Sequence, residues 1–379
     1  MTSSPLNILI VGAGIGGLAA ALTLRRAGHN VHIYERSGLN NEIGAAIHVA
    51  PNASRGLLAL GLDPVAARFV NAKKSWRADS TTLTCFHEAD EGWSVASGDL
   101  VVAADGVHSK AVEAVIGHHN PALPTEKYNF CYRFLIPTAE LAADPETASW
   151  TEGDDGKLKL IVTEGRRLVW YPCRDNEQHN FVAIFSTDDE VKNVEDYRTP
   201  LEVSALLETY KGFHPSVLAV LKKAKDIKQW PLLFRAPLPT WYRGKLALLG
   251  DAAHPMLPHQ GQGGGIAIED GIALGMILTG ATPENLTSRL ALYEGLRLNR
   301  ASAIQHFSNA GQDEPEKIRE AAGKYIGVDN VPKNPEGFFE FNFGYDVIHD
   351  AKLAMQKEVP GWEVPENFFE SEPGRGTYP

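Results

Sequence analysis

Two interleaved units, one built on a parallel sheet and one on an antiparallel sheet, make up the α/β fold that three observations predict for this 379-residue sequence. Residues 7–34 read as strand, glycine-rich turn, helix and strand, the pattern of a parallel βαβ unit. From about residue 125 to 240 apolar and polar positions alternate, as in an antiparallel sheet. Lys245–Leu249 (KLALL) is then again a short apolar run of the buried parallel kind, so the chain returns to its first unit. The expected division is 1–124 with 242–310 for the first unit, 125–241 for the insert, and 311–379 for a helical or extended tail.

The elements follow in order. Asn7–Val11 (NILIV) is a fully apolar, β-branched run, as a strand covered on both faces requires. A helix is expected from about Ile15 to Ala27, ended by Gly28, and a strand over Val31–Tyr34. A second helix is expected over Asn52–Leu60, with Asn52 as its cap after Pro51. Residues 63–98 carry little pattern, and a strand resumes at Asp99–Ala103. In the insert, strands are expected over Phe130–Leu135, Leu158–Val162, Leu168–Tyr171 and Phe181–Ser186, with helices near 200–210 and 215–224. A long helix is expected from about Pro283 to Asn309, followed by a weakly patterned tail.

Composition narrows the function. Hydrophobic residues at 44% and charged residues at 22% are the balance of a globular protein with a core. A net charge of -11 argues against nucleic acid and anionic membranes as partners. The apolar run Leu6–Leu24 lacks a basic leader and carries four glycines, so it is not read as a signal peptide, and a cytoplasmic location is expected. Cys85, Cys131 and Cys173 show no paired spacing, so no metal site and no disulfide frame are expected. Assembly as a homodimer is left open.

Three motifs carry chemistry. In Gly12-x-Gly14-x-x-Gly17, the first glycine permits the tight turn, the second lets backbone approach a pyrophosphate, and the third lets helix and strand pack closely. The helix N-terminus then faces the anion. Glu35 ends the second strand, where an acid binds ribose hydroxyls. This motif alone does not separate NAD from FAD. The second motif, Asp105-Gly106, closes the DLVVAA strand. The third is Gly250-Asp251-Ala252-Ala253-His254-Pro255, then Pro258-His259-Gln260-Gly261-Gln262-Gly263-Gly264-Gly265 and a helix. There a carboxylate follows a buried strand, and glycines bare the N–H groups of a helix N-terminus, which stabilises negative charge.

These motifs, in this order around a β-rich insert, resemble the group A flavoprotein monooxygenases, in particular fungal salicylate hydroxylase-like enzymes. Tyr132-Arg133, Trp230–Trp241 and the tail FNFGYD extend the likeness over nearly the whole chain. The resemblance implies FAD held through Gly12, Gly14, Ile15 and Gly17, through Glu35 and Arg36, and through Asp105, Gly106 and Asp251. It places the flavin ring near Pro258, Gly261, Gly263 and Gly264. It also implies NADH or NADPH as a visiting reductant, dioxygen, and hydroxylation of a small aromatic acid through a flavin hydroperoxide, with loss of the carboxylate as one outcome. An oxidase or dehydrogenase without oxygen insertion, or a flavin-poor form, is the alternative.

The family pattern is broken once. Members carry an arginine-bearing helix and strands before the Asp105 strand, whereas here Phe86-His87-Glu88 runs almost directly into Gly98-Asp99-Leu100. Arg77-Ala78-Asp79 only superficially mimics that helix. Among candidate catalytic residues, His48 suits a general base near the flavin, with a hydrogen-bonded interior histidine as the equal alternative. His259 is a candidate for a flavin-edge or oxygen-site contact, and His254 for a structural role. Arg133 and Arg235 are candidates to pair with a substrate carboxylate, against the alternative of domain packing.

Overall fold

The computed structural model describes residues 4–36, 48–68, 70, 74–75, 96–124, 130–153, 156–163, 165–187, 201–309 and 315–370. Cys85, the Arg77–Asp79 segment and the junction at Phe86–Glu88 lie outside the described residues.

The chain opens with β1 (Asn7–Val11), α1 (Ile15–Arg26), β2 (Asn30–Tyr34) and α2 (Pro51–Ala59). A short β3 (Lys74–Ser75), β4 (Leu100–Ala103), α3 (Ala111–Ile116) and β5 (Leu123–Pro124) follow. The β-rich insert comprises β6 (Phe130–Pro137), α4 (Thr138–Ala142), β7 (Lys157–Thr163), β8 (Arg166–Cys173) and β9 (Gln178–Phe185). It continues through α5 (Val203–Thr209), α6 (Pro215–Leu221), β10 (Lys225–Pro231) and β11 (Leu233–Phe234). The return passes through β12 (Tyr242–Arg243), β13 (Leu246–Leu248), α7 (Gly263–Leu278) and α8 (Leu286–Asn309). Helices α9 (Pro315–Ile326), α10 (Pro335–Phe343) and α11 (Val347–Glu358) close the described chain.

The first sheet has the order β12-β13-β4-β1-β2, with β13, β4, β1 and β2 parallel. This is a Rossmann-like arrangement, and β13 rejoins it by pairing Leu246 with Val101, 145 positions earlier. Its core gathers Ile8, Ile10, Leu100, Val102, Ala247 and Leu248 under α1 and α7. The two helices cross closely because α7 offers glycine: a Cβ on Gly271 would sit 2.6 Å from the Ala20 nitrogen. Thr23 Oγ1 donates to the Gly271 carbonyl at 2.6 Å across that crossing.

The second sheet runs β10-β6-β9-β8-β7-β3 and is antiparallel except where β3 joins β7. Its two faces differ. Phe130, Tyr132, Phe134, Trp170 and Phe181 point one way and pack with α5 and α6. Cys131, Val169, Tyr171, Val182 and Ile184 point the other way and meet Leu257 from the loop before α7. Period-two alternation thus sends Arg133 and Arg167 to this second face, toward the glycine-rich loop.

One expectation is corrected. Asn52 does not cap α2: Ala50 holds the capping position with extended backbone and Pro51 starts the helix. The Asn52 side chain is buried and engaged elsewhere. In the tail, expected as helical or extended, FFEFNF lies in α10 and α11 packs on α7 and α8. Among the described residues no helix is long and apolar enough to cross a membrane.

Candidate functional site

The turn after β1 is set by its glycines. Gly12 has φ +102°, and a Cβ there would collide with the Ala104 carbonyl. A Cβ on Gly17 would collide with the carbonyl of Gly12, so turn and helix share one close contact. Around Gly14, by contrast, a Cβ would meet nothing within 4 Å. That is open approach to backbone at the N-terminus of α1, whose cap carries no side-chain hydrogen bond. Ile15 starts the helix and packs on the core. Glu35, at the end of β2, accepts a hydrogen bond from the Ala13 N–H at 2.7 Å, which holds the carboxylate against the turn. Arg36 follows it, exposed.

Asp105 and Gly106 follow β4 beside this turn. Burial raises the Asp105 pKa, with Ser109 and Arg235 opposing. Its Oδ1 is buried and has no hydrogen-bond partner among the described residues. Asp251 lies in the turn after β13. Solvent reaches its side chain although protein surrounds it, which is the position of a group lining a cleft. Burial raises its pKa, opposed by His254 and Arg235 and reinforced by Asp270. Arg235 donates to the carbonyls of Asn120 (2.8 Å), Val107 (3.0 Å) and Ala252 (3.5 Å). It thereby ties the Asp105 and Asp251 turns together, and a substrate carboxylate would have to compete with three carbonyls. The geometry favours the packing alternative for this residue.

The glycine-rich loop runs from Pro258 into α7. Gly261 takes a left-handed conformation at φ +62°. Gly263 has room around it, its Cβ position being 3.9 Å from Met256 Cγ and 4.0 Å from Asp251 Oδ1. Gly264 follows in the first turn of α7, which has no side-chain cap. Beneath the loop is a cluster of charges that the sequence reading missed. Glu269 and Asp270 sit on α7, fully buried. Arg297 on α8 bridges them, 2.6 Å to Glu269 and 2.9 Å to Asp270. Arg300 binds Glu269 at 2.9 Å, and its guanidinium lies 3.9 Å from the Tyr345 ring centroid. His254 contacts Asp270 at 2.5 Å, and Asp270 also accepts the Gly250 N–H at 3.1 Å. Burial pushes both carboxyl pKa values up, but the basic partners outweigh it and bring both down. The cluster fixes the turn after β13 at Gly250. It reaches the loop's end through Asn52, which donates to Glu269 (2.7 Å) and to Gln262 (3.1 Å). Asn342 of α10 adds a third point, donating to Gln260 at 3.1 Å. One signal was available: an acid pair inside the otherwise apolar run Ile266–Leu278 needs buried cations.

Arg133 and Arg167 are buried on the sheet face that meets this loop. Burial lowers the Arg133 pKa, with Cys131 and Tyr171 opposing. His259, also buried, has its Nδ1 3.3 Å from Arg167 Nη1. A guanidinium only donates, so His259 accepts at Nδ1, and its ring is engaged with the sheet. His48 is half-buried ahead of α2, and burial lowers its pKa.

Comparison with known proteins gives the family. A family model described as "FAD binding domain" matches residues 59–308, well over half of the chain. A second, "NAD(P)-binding Rossmann-like domain", matches residues 10–48. The FAD-dependent monooxygenase cfoG of Aspergillus candidus is 36% identical over 433 aligned positions, covering 97% of this chain and 100% of that one. This chain belongs to the FAD-dependent monooxygenases. The 6-hydroxynicotinate 3-monooxygenase of Pseudomonas fluorescens is 28% identical, over 82% of this chain and 91% of that one. A solved salicylate hydroxylase substrate complex shares the fold, with a TM-score of 0.67 at 22% identity over 93% of this chain and 98% of that one.

FAD is therefore the cofactor of this monooxygenase and NAD(P)H its reductant. The residues present fit FAD. Gly14 leaves room for a phosphate, Asp105 Oδ1 has no hydrogen-bond partner among the described residues, and Asp251 lines a cleft.

Proposed function

We propose that this monooxygenase hydroxylates a small aromatic acid of the salicylate type at the expense of NAD(P)H. The observation that carries the reading is the pair Arg133 and Arg167, buried on one sheet face among Val169, Tyr171 and Val182, opposite the glycine-rich loop. Cationic groups on an otherwise apolar surface suit a flat ring bearing an anionic group. Bound FAD, once reduced, supplies the oxidising power by activating dioxygen. The protein's own part is to orient and deprotonate the substrate and to keep water out. Arg133 orients the carboxylate, and His48 takes the phenolic proton. Pro258, Gly261, Gly263 and Gly264 flank the ring. Glu35 and Arg36 serve the adenosine end, and Asp105, Gly106 and Asp251 the linking portion.

Salicylate and NADH under labelled dioxygen provide the test. One labelled oxygen atom in the product is expected. Substrate oxidation without label would identify an oxidase or dehydrogenase. Carbon dioxide release reports whether the carboxylate leaves.

His48→Ala is expected to lower turnover about 10²–10⁴-fold, the usual contribution of a general base, while flavin content stays near that of the parent. Because burial lowers the His48 pKa, its neutral, proton-accepting form persists to lower pH. The acidic limb of the kcat/KM profile should therefore fall below the ordinary histidine value of about 6.5. Equal hydroxylation rates in mutant and parent would reject the role.

A further inference from the structure

The tail motif FNFGYD holds one residue that packing does not explain. Phe338, Phe341 and Asn342 share a face of α10 at helical spacing. Phe338 and Phe341 meet the Phe307 ring of α8, with centroids 5.0 and 5.3 Å apart. Asn342 is 2% exposed, and its Oδ1 has no hydrogen-bond partner among the described residues. A buried, half-satisfied amide costs stability that an apolar residue there would not. Nor does α10 need this side chain to dock. Arg300 donates to the Phe341 and Asn342 carbonyls at 2.8 and 3.0 Å. Arg55 donates to those of Phe343 and Tyr345 at 2.6 and 2.7 Å.

What the amide does hold is the turn at Pro258–Gln260. Gln260 Nε2 lies 3.4 Å from the Phe307 carbonyl, which can only accept. Its Oε1 therefore faces Asn342, whose Nδ2 donates to it at 3.1 Å. One residue earlier, His259 Nδ1 accepts from Arg167 Nη1 at 3.3 Å. The turn is closed by the Gly261 N–H, 3.2 Å from the Pro258 carbonyl. It is thus pinned on one side to the tail and on the other to the sheet face that carries Arg133 and Arg167. We propose that Asn342 is a positioning residue: through Gln260 it fixes this turn, and through His259 the turn fixes the direction of the Arg167 guanidinium, a role that rests on the reading that Arg133 and Arg167 receive the substrate's anionic group. A hydrogen bond between two amides sets a distance and a direction, which an apolar contact at the same place would not. The tail thereby shapes the substrate site without touching substrate.

The test is Asn342→Leu in the FAD-loaded protein. Hydrogen exchange at the Gly261 amide is expected to quicken about tenfold, the effect of one lost hydrogen bond, while the amides of α10 keep their protection. KM for salicylate is expected to rise about tenfold with kcat within about twofold, the pattern of lost substrate binding. Exchanging the two amides, Asn342→Gln with Gln260→Asn, keeps donor, acceptor and combined length and is expected to restore both readings. If the leucine variant folds poorly, Asn342→Asp serves: it keeps the shape, faces Gln260 Oε1 with an acceptor, and should move both readings further. Unchanged exchange at Gly261 overturns the proposal. So does equal quickening along α10, which would make Asn342 a packing residue, and so does an exchanged pair that restores neither reading. Quickened exchange at Gly261 with KM and kcat both unchanged overturns it through its premise, since the turn would be held by Asn342 without serving the substrate. A parent that does not turn over salicylate counts against the proposed function alone, and the exchange at Gly261 then decides for or against Asn342.

Discussion

Arg297→Met is expected to destabilise the protein by about 3–5 kcal/mol, the penalty for stripping one partner from a buried ion cluster. Arg297 is fully buried and touches both Glu269 and Asp270. Its own pKa is lowered by burial and raised more strongly by the two carboxylates, so the group is charged in the folded protein. Without it the two buried carboxylates would keep Arg300, Asn52, His254 and the Gly250 N–H, with Arg300 the one remaining guanidinium among the described partners. Replacing the whole cluster by apolar residues would be far gentler, since the penalty is the unpaired charge and not the lost attraction. The loss is read from denaturant midpoints at neutral pH. Its pH dependence has a definite sign. Glu269 and Asp270 have lowered folded pKa values, so their stabilising contribution is present above the ordinary carboxylate range. It is lost as pH falls through the lowered values, and the gap between parent and variant should narrow there. Arg68, which bridges Asp175 and Glu177 with half its side chain exposed, is the comparison: its removal should barely move the midpoint.

The contrast between those two arginines tracks what was legible in the sequence. β1, α1 and β2 were readable because NILIV, the glycine spacing and the next apolar run are local signals within 28 residues. β6 to β9 were readable because alternation reports which face is covered, and the structure covers both faces with different neighbours. The residues beneath the loop were not. Asn52 reads locally as a helix cap after a proline, yet a carboxylate 217 positions away claims its side chain. Arg167 reads as one more polar position on a strand, and only the fold brings it to His259, 92 positions away. The tail is similar. Asn342 sits in an aromatic run with little periodicity, and its place becomes visible only through its bond to Gln260. In each case the deciding partner is distant in sequence, while propensity and periodicity are short-range.

This chain should bind FAD about tenfold to hundredfold more weakly than a version with the expected segment restored between Glu88 and Gly98. Two observations support the reading that a segment is missing. The match to the Aspergillus candidus relative spans 433 aligned positions, more than the 379 residues this chain has, so several dozen of that relative's residues have no counterpart here. On the first sheet, β2 stands at the edge, with no described strand beyond it. Val11, Leu18, Leu22, Ile33 and Tyr34 around it are between 37% and 48% exposed, apolar surface of the kind a further strand and helix would cover. The resemblance places an arginine in that segment, reaching the ribityl or phosphate part of FAD. A charge-assisted contact of this type contributes about 1.5–3 kcal/mol, which sets the size of the expected loss. The Gly12 turn, Glu35, Asp105 and Asp251 remain, so binding should be weakened and not abolished. Both chains are purified in parallel, and bound flavin per protein and the FAD dissociation constant are measured. Restoring the segment should also raise the denaturant slope, because more surface is buried on folding. Equal FAD affinity in the two chains would show that the shortened first unit holds its cofactor unaided, and that Val11, Leu18 and Leu22 need no cover.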